Sequence, residues 1–190
     1  MRPCRVPLLV PLLGMAAAAL AACAAPARTS NMAVAMYPET TGQRTALSDA
    51  VLPGNVTGGR STFALWMPQI GNDELAGAIR SSLAAAGWLA PDPASARYAL
   101  DAELIEVDKP MIAVDSIVTT RIGYRLTDRR TGGAVWSDEI ETRNSQSAAT
   151  GLLPEQRQRL ALEGAVRENL TLALQRLRAF AQGRAAPVSG

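Results

Sequence analysis

The sequence has no histidine, two cysteines and one lysine, and aromatic residues make up only 4% of its 190 residues. Without histidine there is no Ser-His-Asp or Cys-His nucleophilic site, no His-Cys metal site, and no side chain whose ordinary pKa lies near neutrality. Both cysteines, Cys4 and Cys23, lie at the amino terminus, so no disulfide framework is predicted for the rest of the chain. The familiar catalytic arrangements are therefore excluded, and we expect a protein that is not an enzyme.

The remaining polar groups do not suggest a reaction either. Lys109 precedes Pro110 in a predicted turn and has no serine motif nearby. Asp138 and Glu139 are adjacent on a predicted strand, so their side chains point to opposite faces and cannot flank one bond. Metal binding by carboxylates alone stays open in principle, but the one cluster most simply marks a solvated strand face: Asp101, Glu103, Glu106 and Asp108. We predict no catalytic residue, no metal and no cofactor.

The amino terminus carries the most specific signal. Arg2 and Arg5 precede an uncharged run from Val6 to Leu20, which is typical of a signal peptide. The four residues that end this run, Leu20-Ala21-Ala22-Cys23, resemble the lipobox of bacterial lipoproteins. The resemblance implies that residues 1–22 are a signal peptide cleaved after Ala22, and that Cys23 receives a diacylglycerol and an acylated amino terminus.

Two other interpretations of the amino terminus remain. It could be a plain secretory signal, with Cys23 present by chance, or a transmembrane helix. A spanning helix needs about 20 predominantly apolar residues, and this run is short, alanine-rich and interrupted by Pro7 and Pro11. Two or more acyl chains would hold the protein on a membrane without a spanning segment.

The resemblance to bacterial lipoproteins also covers the residue that directs them to the inner or the outer membrane. Aspartate at the second mature position retains enterobacterial lipoproteins in the inner membrane, so Ala24 resembles an outer-membrane address. We therefore predict an outer-membrane lipoprotein at the periplasmic face. Removing residues 1–22 takes away two of the 19 basic residues and none of the 17 acidic ones, so the formal charge falls from +2 to zero. This balance gives no electrostatic reason to expect nucleic acid as a partner.

Composition and periodicity divide the rest of the chain into three parts. Residues 23–45 contain prolines, serines and threonines without sustained periodicity, which predicts a lipidated, flexible linker. Met32, Met36 and Tyr37 are its only larger apolar residues, and an alternative is that they dock on the domain or on a partner. Residues 46–182 are predicted to form one globular domain, and residues 183–190 a disordered tail.

Within the domain, hydrophobic periodicity predicts six elements. Apolar residues recur at helical spacing over about residues 72–87 and 154–182, whereas period-two alternation begins at Tyr98 and again at Val118. Less regular strands are expected over residues 46–56 and 134–142, and the phase of the second is open because Val135 and Trp136 both favour burial. The order βαβββα predicts an α+β two-layer sandwich, with two helices on one face of an antiparallel sheet of about four strands.

A family resemblance covers about residues 46–182. It rests on Val56-Thr57-Gly58-Gly59, Asn72 to Leu83, the alternating strand from Tyr98 to Leu104, and Glu163-Gly164-Ala165-Val166-Arg167-Glu168-Asn169. These segments are similar to a family of uncharacterised proteobacterial envelope lipoproteins. The order of elements after a lipobox also loosely resembles accessory lipoproteins of lipopolysaccharide assembly and of curli secretion. Fold analogy alone does not carry function.

We expect a non-catalytic accessory or adaptor lipoprotein that binds another envelope component, with an envelope protein as the expected partner. The alternative is a periplasmic carrier of a lipid or small ligand in a cavity between helices and sheet. The polar run Arg167 to Asn169 admits two interpretations. It could form a solvated helix face with a Glu163–Arg167 ion pair, or it could contact a partner.

Overall fold

The computed structural model describes residues 26–35, 44–60, 69–109 and 115–183. A four-stranded sheet in the order β1-β2-β3-β4 carries the helices on one face, so the predicted α+β class is confirmed. None of the helices in the described ranges is both long and apolar enough to cross a membrane. The elements in chain order are α1 Thr29–Met32, β1 Val51–Thr57, α2 Asn72–Ala85, β2 Tyr98–Asp108, β3 Ser116–Asp128, β4 Ala134–Gln146, a 3-10 turn Ala148–Thr150, and α3 Pro154–Ala181.

The sheet is mixed, which corrects the expectation of a wholly antiparallel sheet. Strands β2, β3 and β4 form the expected antiparallel meander. Strand β1 runs parallel to β2, with Val51 opposite Tyr98, because α2 lies between them and returns the chain to the same end of the sheet. The alternation of apolar residues reports which face a strand buries, and it carries no information about strand direction.

The strand periodicities place the core as predicted. Tyr98, Leu100, Ala102 and Leu104 are buried under the helices, and β3 alternates in the same way from Val118 to Leu126. Strand β4 buries Trp136, whereas Val135 is only partly covered, which settles the phase that the sequence left open.

The helices follow their predicted stripes. Helix α2 begins at Asn72 with Gly71 as its N-cap, and the Asn72 side chain accepts a hydrogen bond from the Gly59 N–H at 2.8 Å. Helix α3 buries most of its predicted apolar stripe against the sheet, with Phe180 only partly covered.

Residues 26–35 require a correction to the linker prediction. This segment forms the short helix α1 and packs on α2 and α3, so Met32 is fully buried and Ala27 and Val34 nearly so. Docking of Met32 on the domain, left open by the sequence, is what the structure shows. The other two larger apolar residues of the predicted linker, Met36 and Tyr37, lie outside the described residues, as do the signal peptide and residues 184–190 of the tail.

Candidate functional site

The face of the sheet away from the helices carries alternating charges. We call it the open face and define it by three rows of residues paired across β2, β3 and β4. Side chains on this face point away from the core because their buried neighbours occupy the intervening positions. The rows are Asp101–Arg125–Ser137, Glu103–Gly123–Glu139 and Glu106–Arg121–Glu141.

Gly123 creates a groove of about 540 Å³ at the centre of the open face. Glu103 and Glu139 flank it from the neighbouring strands, and both are exposed. The Ile105 side chain lies over the glycine, since a Cβ there would be 3.3 Å from Ile105 Cδ1. A side chain at position 123 would therefore fill the floor of the groove.

The charges along the groove are unevenly paired. Arg121 binds Glu106 directly, and its Nε lies 3.7 Å from the Glu139 carboxylate. Asp101 accepts the Asn55 N–H at 2.7 Å, so this carboxylate is tied to the irregular part of β1. Acidic groups thus predominate on the groove walls, and the groove suits a polar or cationic surface.

A second cavity, of about 470 Å³, lies at the end of the sheet where β1 and β2 finish. We call it the sheet-end cavity. Its lining combines apolar side chains with the cations Arg60 and Lys109. Burial lowers the pKa of the Lys109 amine from 10.5 to about 8, because loss of water disfavours the charged form. No serine is among the lining residues, so no Ser-Lys pair is brought together in this cavity.

The described part of the chain brings no three carboxylates together in a geometry that could hold a metal ion. Of the predicted acidic cluster, Asp101 is tied to β1 and Glu106 to Arg121. Asp138 binds Arg176 of α3 at 2.9 Å, whereas Glu139 lies on the open face, as predicted for adjacent strand residues. The predicted lipidation and cleavage residues, Cys23 and Ala22, lie outside the described residues.

The expected Glu163–Arg167 ion pair is not formed. Glu163 is buried, and its carboxylate accepts the Arg28 N–H and the Asn31 amide at 2.7 Å each. The guanidinium Nε of Arg159, one turn earlier on α3, lies 3.7 Å from the same carboxylate, and Arg167 instead donates to the Asn31 carbonyl. We call these contacts the α1 clamp.

The sequence contained a signal for the α1 clamp. Glu163 lies three residues before Val166 and seven before Leu170, so it shares the helix face that the apolar stripe buries. A buried carboxylate at such a position needs partners. Those partners come from residues more than 130 positions earlier in the chain, which periodicity cannot reveal.

One residue of the polar run Arg167 to Asn169 holds the fold together. Asn169 is buried, and it accepts the Tyr124 hydroxyl at 2.8 Å while donating to the Ile140 carbonyl at 2.6 Å. Burial raises the pKa of Tyr124 well above its ordinary value. Arg167 and Glu168 are exposed, and the Glu168 carboxylate accepts the Asn144 amide. Asn169 therefore fixes α3 to the sheet and is inaccessible to a partner.

Comparison with family models and with curated proteins gives no match. Among solved structures, a Xanthomonas campestris protein of the DUF330 family superposes with a TM-score of 0.54 at 12% identity, over 74% of this chain and 91% of that one. This likeness shows a shared fold and nothing about activity.

Two weaker structural likenesses are to proteins from other bacteria. A Chlamydia trachomatis protein gives a TM-score of 0.49 at 15% identity, covering 70% of this chain and 95% of that one. A minor lipoprotein of Acinetobacter baumannii gives a TM-score of 0.48 at 12% identity, covering 76% of this chain and 99% of that one. Neither likeness is close enough to support an argument.

Proposed function

We propose that this chain is a lipid-anchored accessory lipoprotein of the Gram-negative envelope, an adaptor that binds another envelope component without catalysing a reaction. The observation that carries the proposal is the lipobox-like Leu20-Ala21-Ala22-Cys23 after a charged start and an uncharged run. Acylation of Cys23 would fix the domain to a bilayer, and Ala24 favours the periplasmic face of the outer membrane.

The open face is the proposed binding surface. Its groove offers exposed carboxylates at Glu103 and Glu139 around the depression at Gly123, so a partner with cationic groups fits it. The adaptor would act by positioning, since the anchor supplies the location and the groove supplies recognition.

The first test is the intact mass and membrane fractionation of the wild type and of Cys23→Ala. Acylation predicts a mature chain that begins at Cys23, carries acyl mass and sediments with the outer membrane, and a Cys23→Ala variant that loses both the acyl mass and the membrane association. An unmodified soluble wild-type chain would refute the lipid-anchored adaptor.

The second test separates an adaptor from a carrier. Recovery of the detergent-solubilised wild type should bring down a protein that is lost with Glu103→Arg, because reversing a groove charge creates repulsion toward a cationic partner. Glu168→Arg is the matched control, since Glu168 is exposed in the middle of α3, away from the open face. Co-purified lipid or small molecule without such a protein would favour the carrier.

A further inference from the structure

The chain joins the folded domain much earlier than its composition suggests. Ala27 is 2% exposed and donates its N–H to the Gln69 carbonyl at 3.3 Å, and the next residue, Arg28, donates its N–H to Glu163. The Val34 N–H donates to the buried Ser82 hydroxyl at 2.9 Å. Residues 27–34 are therefore part of the domain.

This attachment leaves a short connection to Cys23. The four steps from Cys23 to Ala27 span at most about 14 Å, whereas a free linker to residue 45 would span up to about 75 Å. An acylated Cys23 would lie at the bilayer surface, so Ala27 cannot be farther from that surface than this short reach. The domain must then rest on the membrane instead of extending far from it.

The point of attachment identifies which part of the domain is near the bilayer. Gln69, which receives the Ala27 N–H, lines the sheet-end cavity together with Arg60 and Lys109. The last residue of β4, Gln146, pairs with Ser116 at this same end, and α3 starts just beyond it. The opposite end carries the β3–β4 turn around Thr131.

An independent observation favours the same end. Among the described residues, two large hydrophobic side chains are exposed, Ile105 at 43% and Leu153 at 60%. Leu153 is the N-cap of α3 and lies at this end, whereas Ile105 lines both the sheet-end cavity and the groove over Gly123, about midway along β3. Exposed apolar side chains next to a lipid anchor can bury part of their surface in the headgroup region.

Given the lipid anchor proposed above, on which this orientation depends, we infer that the domain lies on the bilayer with its sheet-end cavity and Leu153 facing the lipid surface. The long axis of the sheet then points away from the membrane. The Thr131 turn becomes the most distant part, about 40 Å from the near end along the thirteen residues of β3. The occupant of this surface is the lipid bilayer itself.

The mature chain allows a clean test, because an introduced cysteine would be its only free thiol once Cys4 is removed and Cys23 is acylated. Full-length Leu153→Cys, Ile105→Cys and Thr131→Cys are each labelled with a fluorophore. The acylated proteins are reconstituted into phosphatidylethanolamine–phosphatidylglycerol vesicles that carry nitroxide on their headgroups. We expect loss of most of the emission at position 153, little loss at 131, and an intermediate loss at 105, which lies beside the middle of β3.

A tether variant supplies the matched control. A flexible Gly/Ser insert of about 20 residues between Ala25 and Pro26 adds an r.m.s. reach of about 25 Å without changing the fold. Quenching at position 153 should then fall toward the value at 131. Equal quenching at all three positions in the acylated protein, or no response to the insert, would overturn the orientation alone. Absence of acyl mass would overturn the anchor and the orientation together.

Discussion

At the scale of single residues, Asp128 joins a turn to a strand end through a buried carboxylate. Its Oδ1 accepts the Arg130 N–H at 2.9 Å, and its Oδ2 accepts Arg97 Nε at 3.0 Å. The backbone hydrogen bond from Arg130, and next the hydrogen bond and charge of Arg97, hold the pKa of Asp128 below its ordinary value of 3.8. The carboxylate form therefore stabilises the fold.

The sign of the pH dependence follows from that lowered pKa. The stabilisation is fully present above the ordinary value and is lost as the pH falls through the lower, folded-state value. Asp128→Asn should reduce the free energy of unfolding near pH 7, and the difference from wild type should shrink toward about pH 3. Urea unfolding at both pH values measures this, with the exposed Glu141→Gln as control. A constant difference at both pH values would contradict the assignment.

Gly58 shows where the backbone requires glycine. Its φ is +79°, and a Cβ at this position would lie 2.1 Å from the Leu104 carbonyl oxygen of the neighbouring strand. Gly58→Ala should lower the free energy of unfolding by more than about 2 kcal/mol, since conformational strain and a backbone clash both act.

The matched control for Gly58 is Gly132→Ala. Gly132 has a similar φ of +71°, but nothing lies within 4 Å of its Cβ position. Gly132→Ala should therefore lower the free energy of unfolding by the conformational cost alone, about 1–2 kcal/mol. Equal losses for the two variants in chemical denaturation would show that the contact with Leu104 contributes nothing.

At the scale of elements, α1 depends on the α1 clamp. A four-residue helix has too few internal hydrogen bonds to persist alone. Glu163→Ala removes the acceptor for Arg28 and Asn31 and leaves Arg159 without its buried counter-charge. We therefore expect the free energy of unfolding to fall by about 3 kcal/mol. Hydrogen exchange should show that residues 27–34 lose protection first.

The control for the clamp lies on the same helix. Glu168 is exposed and makes one hydrogen bond with Asn144, so Glu168→Ala should lower the free energy of unfolding by less than about 1 kcal/mol. Exchange at residues 27–34 should remain unchanged in that variant. Retention of full protection in Glu163→Ala would show that apolar packing of Met32 holds α1 without the clamp.

At the scale of the whole molecule, hydrophobic periodicity predicted the features of the fold that depend on local sequence pattern. The alternation from Tyr98 and the helical stripe of α3 define a buried face regardless of the rest of the chain, so the class, the element order and the meander could be predicted. The direction of β1 depends on α2 packing, and the position of α1 depends on Glu163, which lies more than 130 residues away. The groove at Gly123 depends on register, which sequence alone did not supply.

The whole domain should also depend on residues 26–35 for stability. A chain that begins at Arg44 lacks Met32, whose burial alone contributes about 1.5–3 kcal/mol, and exposes the surfaces of α2 and α3 that it covers. Its melting temperature should be several degrees below that of a chain beginning at Pro26, by calorimetry. Equal melting temperatures would return residues 26–35 to the status of a linker.

The two edges of the sheet are unequal. At β1, Val51 already bonds to residues 88–90, Pro53 lacks an N–H, and the register shifts between Pro53 and Val56. Strand β4 runs for thirteen residues without another strand beyond it in the described sheet. Edge-to-edge polymerisation of such sheets needs two receptive edges, and the described strands offer one, β4. A second copy that adds at β4 forms a two-fold pair, and neither copy then presents a second receptive edge within the described strands, so a fibre does not grow.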